Sequence, residues 1–201
     1  MISSLTAEKL TVQRGSRRLV EGLSFTVKAG QALALEGANG AGKTSLLRLI
    51  AGFLPAPAGR VTLLDGATEI SEPEERGKFI GWLGHHDALK GALTVSEMLD
   101  FFGKLHGVSG DQPALLEQVG LTRQSELPCR YLSAGQRRRL ALARLLVSRR
   151  PLWLLDEPFA ALDTAGKALV ARLIALHCGQ GGMVIAATHD PLGLGNAVLK
   201  L

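Results

Sequence analysis

Gly37-Ala38-Asn39-Gly40-Ala41-Gly42-Lys43-Thr44 is the stretch on which the reading of this chain turns. It fits the pattern G-x-x-x-x-G-K-[ST], a loop whose backbone N–H groups face inward and cradle the β-phosphate of a nucleotide. The glycines let the main chain approach the phosphate oxygens, and a helix opening at the end of the loop adds the positive end of its dipole. Lys43 is placed to reach the β- and γ-phosphates, and the Thr44 hydroxyl to ligate Mg²⁺. The flanking sequence supplies the context the loop requires. Ala32–Glu36 is a short apolar run and Ser45–Ala51 reads as a helix start, so the order is strand, glycine-rich turn, helix. Gly37, Ala38, Asn39, Gly40, Ala41, Gly42, Lys43, Thr44 and Ser45 are therefore the expected nucleotide-binding set.

Working outward, Leu152-Trp153-Leu154-Leu155 is a continuous apolar run followed by Asp156-Glu157. Such a run suits a strand buried on both faces. A carboxylate at its carboxyl end falls beside the phosphate loop, where ligands bind in open α/β sheets. Asp156 is read as holding Mg²⁺ through water, together with Thr44. Glu157, the next residue, points elsewhere and is read as the group that polarises the attacking water.

Met183–Ala187 reads as a second buried strand, with His189 just past its end. Residues 5–12 and 23–27 read as strands, and residues 95–106, 112–120, 134–147 and 166–177 as helices, Pro151 ending the third. Alternating strands and helices predict an α/β fold with a parallel sheet. The chain reads as one domain, with residues 1–88 and 147–201 as core and the helical stretch 89–146 as an insertion.

Composition fits one folded domain. The 201 residues are 46% hydrophobic, which excludes disorder, and no apolar run approaches the roughly 18 residues that span a bilayer. The beginning of the chain lacks a basic segment followed by an apolar one, so the chain is expected to stay in the cytosol and to meet a membrane only through partners. The net charge of +5 includes Arg17-Arg18, Arg137-Arg138-Arg139 and Arg149-Arg150, which read as solvated basic faces. No aromatic residues interleave with them, so no nucleic-acid partner is expected. Cys129 and Cys178 share no metal-type spacing and read as ordinary thiols.

Leu132-Ser133-Ala134-Gly135-Gln136 resembles the signature motif L-S-G-G-Q of ATP-binding cassette (ABC) ATPases, with Ala134 in place of the first glycine. Ala161-Leu162-Asp163 resembles the D-loop of that family and Thr188-His189-Asp190 its switch histidine. The resemblance spans essentially the whole chain. It implies a P-loop, RecA-like core with an N-terminal antiparallel β subdomain and an inserted helical subdomain, the ABC nucleotide-binding domain. It implies a homodimer in the ATP-bound state, in which Ser133, Ala134, Gly135 and Gln136 of one chain cap the γ-phosphate held by the other. Asp163 would then cross the interface, and His189 would contact the γ-phosphate beside Glu157.

Two positions depart from the family pattern. Aligning Ile80-Gly81-Trp82-Leu83-Gly84 puts His85 where members carry the Q-loop glutamine. An imidazole there can bind Mg²⁺-associated water or orient the nucleophile, although its donor and acceptor differ from an amide's. His85-His86 is not read as a metal pair, because adjacent side chains point apart in extended chain. Counting back from Leu23-Ser24-Phe25 puts Arg14 where most members stack a tyrosine on adenine, and a guanidinium plane can stack on a base.

Within the family, residues 82–85, 132–144, 152–163 and 181–192 look like the ATP-binding subunits of bacterial cytochrome c maturation. That resemblance implies an ATPase working on haem export or release of a haem-loaded chaperone, at the cytoplasmic face of the bacterial inner membrane. Its partners would be integral membrane subunits resembling CcmB, CcmC and CcmD. Residues from His85 to Leu93 would face them. The alternative is a soluble cassette ATPase of iron–sulfur cluster assembly, which would carry the same motifs.

Overall fold

The computed structural model describes residues 1–108, 112–193 and 197–201. The chain opens with a long hairpin, β1 (Ile2–Arg14) and β2 (Arg17–Lys28). It continues through β3 (Ala32–Glu36), α1 (Lys43–Ile50), β4 (Arg60–Asp65), β5 (Thr68–Ile70), the short α2 (Pro73–Gly77) and β6 (Ile80–Leu83). Three helices follow: α3 (Val95–Leu105), α4 (Gln112–Gln118) and α5 (Ala134–Ser148). The end of the chain adds β7 (Leu152–Asp156), α6 (Thr164–Gly179), β8 (Met183–Ala187) and β9 (Ala197–Lys200).

The strands form two sheets. An antiparallel sheet has the order β2-β1-β4-β5, and a parallel one the order β6-β7-β8-β3-β9. In the parallel sheet each strand's alternation divides the core in two. Leu152 and Leu154 of β7, Met183 and Ile185 of β8, and Leu33 and Leu35 of β3 face α1 and the antiparallel sheet. Trp153 and Leu155, Val184 and Ala186, and Ala32 and Ala34 face α3, α5 and α6. Every residue of β7 and β8 is buried, which is why both read as unbroken apolar runs. Burying one leucine is worth about 2 kcal/mol, so this double-sided core holds the loops at the strand ends rigidly.

Helix ends follow local chemistry. The Thr94 hydroxyl caps α3 by accepting from Glu97 N–H, while Glu97 accepts from Thr94 N–H. Ser133 and Gln136 make the same reciprocal pair at the start of α5. That helix ends on Arg149 in the left-handed conformation, two residues before Pro151.

The expected parallel α/β sheet is present, and the predicted helices lie within a few residues of those observed. β4, β5 and β9 are additions: short, partly exposed and without a clean apolar run. The first two strands extend well beyond residues 5–12 and 23–27, because the hairpin is held by cross-strand pairing from Ser4↔Lys28 to Arg14↔Arg17. Part of the stretch between α3 and α4 falls outside the described residues.

His177 packs as an aromatic. Its ring stacks on Trp153 with centroids 3.8 Å apart and planes at 7°, and its Nε2 meets Pro151 O at 3.2 Å. Burial pulls its pKa down from the ordinary value of 6.5 to about 4. The unfolded chain takes up the proton near 6.5, so this contribution to stability is complete above that pH and is lost as pH falls toward 4. The slope is about 1.4 kcal/mol per pH unit. Tm measured between pH 7 and 5 should therefore fall in wild type and fall less in His177→Phe, which keeps the stack and cannot titrate. Equal slopes would contradict the assignment. Cys129 and Cys178 are buried free thiols, and burial pushes Cys178 up to about 11.

Candidate functional site

The segments after β3, β6 and β7 and the amino end of α1 meet around one cavity of about 320 Å³. Its lining includes Ala38, Asn39, Gly40, Gly42, Lys43, Thr44 and Ser45, together with Arg14, His85, Asp156 and Glu157. Four chain segments remote in sequence thus contribute to it. β3 ends at Glu36, and the loop climbs over the sheet before Lys43 opens α1. Gly37, Gly40 and Gly42 all have positive φ, so side chains there would be strained. A Cβ on Gly37 would also sit 2.8 Å from Leu201 O.

Lys43 is 8% exposed, and its Nζ donates to Gly37 O at 2.5 Å and Ala38 O at 3.4 Å. Its ammonium lies 3.4 Å from His189 Nε2. An ammonium held inside its own glycine loop puts positive charge where a polyphosphate would lie. The Thr44 hydroxyl is 2.9 and 3.1 Å from the two oxygens of Asp156, which is 4% exposed. A hydroxyl and a buried carboxylate converging from two elements make a hard oxygen donor set of the kind Mg²⁺ prefers.

Glu157 leaves the strand at once. Its φ of 50° is left-handed, which costs a non-glycine residue about 1 kcal/mol or more. Its N–H donates to Ala187 O at 2.8 Å, tying the turn to β8. His189 Nε2 stands 4.0 Å from Glu157 Oε1. The side chains of Lys43, Asp156, Glu157 and His189 are therefore gathered at one sheet edge. Thr188 and Asp190 hold the histidine's own turn, with Asp190 N–H donating to Thr188 Oγ1 at 2.9 Å and Lys167 paired to Asp190 at 2.7 Å.

Arg14, at the tip of the hairpin, lines the same cavity from the antiparallel sheet, with Leu19 and Arg48 as neighbours not singled out in the sequence. His85 lines it from the end of β6. The His85 and His86 rings do not point apart: they meet edge to face with centroids 5.4 Å apart, because the chain bends after β6. No group of three or more potential metal ligands occurs among the described residues.

Ser133, Ala134, Gly135 and Gln136 begin α5 and are not among the described residues lining the cavity. Ser133 is exposed. Its oxygen accepts from Gln136 N–H at 3.2 Å, which leaves the hydroxyl proton free to be donated outward. A Cβ on Gly135 would lie 3.0 Å from Ala161 O, so the start of α5 packs closely on Ala161 and Leu162. Asp163 itself caps α6, accepting from Gly166 N–H at 2.7 Å.

The arginine run in α5 overturns one expectation. Arg137, Arg138 and Arg139 are not a solvated face. Arg137 donates to Leu132 O at 2.6 Å, and Arg139 to Val119 O and Gly120 O at 3.0 and 3.1 Å. Arg138 is 3% exposed and donates to Gly84 O, Asp87 Oδ1, Asp156 O and Glu157 O. Composition alone could not flag it, since its partners are mostly main-chain oxygens brought in by the fold.

A family model described as ABC transporter matches residues 20–160. The chain is 50% identical over 198 residues to the cytochrome c biogenesis ATP-binding export protein CcmA of Rhodopseudomonas palustris (strain BisB5), covering 98% of this chain and 97% of that one. It is 48% identical over 199 residues to the protein of the same name from Nitrobacter winogradskyi, at the same coverages. Among solved structures it is similar to a putative ABC transporter ATP-binding protein from Pyrococcus furiosus, with a TM-score of 0.85 and 23% identity over 99% of this chain and 98% of that one. It also matches cbiO1 from Clostridium perfringens, part of the ABC transporter complex cbiONQ, with a TM-score of 0.77 and 26% identity over 94% of this chain and 80% of that one.

Proposed function

The chain belongs to the ABC transporter family, and we propose that it is the ATP-hydrolysing subunit of a transporter complex serving c-type cytochrome biogenesis. In this reading ATP turnover is coupled to haem export or to release of a haem-loaded chaperone. The observation that carries it is the meeting of Lys43, Thr44, Asp156, Glu157 and His189 at one sheet edge, in a chain half identical over almost its whole length to export proteins of that process.

The residues divide the work by their chemistry. Backbone N–H groups of residues 38–44 and the Lys43 ammonium hold the β- and γ-phosphates. Arg14 faces the base. Thr44 and Asp156 would hold Mg²⁺, which when bound offsets phosphate charge and orients the γ-phosphate. Glu157 accepts a hydrogen bond from the attacking water, and His189 and His85 fix its surroundings from either side. Ser133 to Gln136 of a second copy complete the site across a homodimer, with Asp163 near the interface.

No helix among the described residues is long and apolar enough to cross a membrane. In the proposed complex the chain sits at the cytoplasmic face of a bacterial inner membrane, held there by integral subunits resembling CcmB, CcmC and CcmD. Tagged Glu157→Gln protein, trapped with ATP in native membranes, should recover small polytopic haem-handling proteins. Recovery of soluble iron–sulfur scaffold proteins, with nothing from the membrane, would overturn the transport reading and leave the ATPase chemistry standing.

A further inference from the structure

Arg138 bonds two parts of the site at once. One guanidinium nitrogen donates to Gly84 O at 2.8 Å and to Asp87 Oδ1 at 3.0 Å, on either side of His85 and His86. The other donates to Asp156 O at 2.5 Å and Glu157 O at 2.7 Å. The side chain is 4% exposed, so these bonds form away from water, where they are strongest. Arg138 stands on α5, two residues beyond Gln136, in the helix that Ser133 caps. The Glu157 peptide is thus gripped from both ends: its N–H by Ala187 O in the parallel sheet, its carbonyl by a helix outside that sheet.

The segment after β6 is latched a second time. Arg144, further along α5, donates to Asp87 O and Ala88 O and lies over the Phe102 ring of α3 at 4.4 Å. Gly84 to Ala88 therefore follows α5, and Arg138 is the member of this latch that also reaches Glu157. A lysine would supply one point charge; four acceptors in two directions need the planar fork of arginine.

We propose that Arg138 is a positioning residue that ties the placement of Glu157 and of the His85 loop to the position of α5. A shift of α5, driven from its signature end by a second chain or from the His85 side by a partner, is then felt at the catalytic carboxylate. This rests on the ATPase reading of Glu157 given above.

The test compares Arg138→Met, Arg138→Lys and Asp87→Asn with wild type in the full-length chain, reading ATP affinity and single-turnover hydrolysis separately. Arg139→Met, which removes an arginine of the same helix bonded to residues 119 and 120, reports the cost of losing any α5 arginine. Arg138→Met should bind ATP within about threefold of wild type and hydrolyse it about 100-fold more slowly, the cost of misplacing a catalytic group by about 1 Å. Arg138→Lys should recover part of that loss. Asp87→Asn, at a partly exposed position, should fold normally and lose several-fold in rate, which keeps the question decidable if Arg138→Met does not fold. Arg139→Met should hydrolyse like wild type.

Two results overturn the proposal. One is an Arg138→Met or Asp87→Asn chain with wild-type turnover. The other is affinity and rate falling together in every Arg138 variant, as in a merely unfolded chain. If Glu157→Gln itself hydrolyses normally, the ATPase assignment fails instead, whatever the arginine variants do.

Discussion

Glu157→Gln is expected to bind ATP and Mg²⁺ about as tightly as wild type, to hydrolyse ATP about 1,000-fold more slowly, and to accumulate as a dimer. The exchange is nearly isosteric. It leaves untouched the main-chain bonds at this position, the N–H to Ala187 O and the carbonyl from Arg138, so the left-handed turn survives. What goes is a carboxylate able to take a proton from water, and an amide has no such capacity. General-base catalysis contributes about 10²- to 10⁴-fold, which sets the size of the loss. A chain that closes on ATP and cannot cleave it stays closed. Sizing chromatography with ATP and Mg²⁺ reads the dimer, and phosphate release reads the rate. A mutant that remains monomeric and turns over normally removes Glu157 from its assigned role.

Ser133→Arg is the second large effect: near-complete loss of hydrolysis with ATP binding preserved. The cavity holding Lys43, Thr44 and Asp156 is not lined by Ser133 among the described residues, so the nucleotide pocket of the mutant chain is undisturbed. Ser133 is exposed at the start of α5, and its oxygen serves the chain as an acceptor, leaving the hydroxyl proton to face outward. In the proposed homodimer a bulky cation there would fill the space of the facing chain's γ-phosphate, and the Gln136 N–H would lose its cap, at a cost of about 1 kcal/mol. Titration calorimetry should therefore show ordinary ATP affinity while phosphate release falls by about 100-fold or more. Loss of affinity would instead place Ser133 in its own chain's pocket.

Much of this arrangement is legible before any coordinates. Ala32–Thr44, Leu152–Glu157 and Met183–His189 each join an apolar strand to a polar end, and that coincidence is local in the sequence. Their convergence follows because parallel strands present all their carboxyl ends on one edge. Arg14 is singled out only by the family resemblance, at the position where most members carry a tyrosine, and it lines the cavity from the hairpin tip. Arg138 shows where such reading stops. In the run Arg137–Arg139 each residue looks alike, yet the middle one is buried and bonded to Asp156 and Glu157, eighteen and nineteen positions away. Those acceptors are carbonyls, which every residue has, so no side-chain pattern announces them. The His85 and His86 rings illustrate the same limit: the expectation of divergence assumes extended chain, and the chain bends there. β9 escapes because an edge strand with mostly exposed residues carries no apolar alternation.

If ATP is hydrolysed at sites built from two copies of this chain, mixing Ser133→Arg with Lys43→Ala restores an activity that neither has alone. Each parent is dead alone: one lacks a usable signature end, the other a usable phosphate loop. In a mixed dimer the sound loop of one faces the sound signature of the other, giving one complete site of two. An equimolar mixture should hydrolyse ATP at up to about one quarter of the wild-type rate, since about half of randomly paired dimers are mixed. A mixture as inactive as its parents, or a Ser133→Arg chain active by itself, would rule out sites shared between two chains.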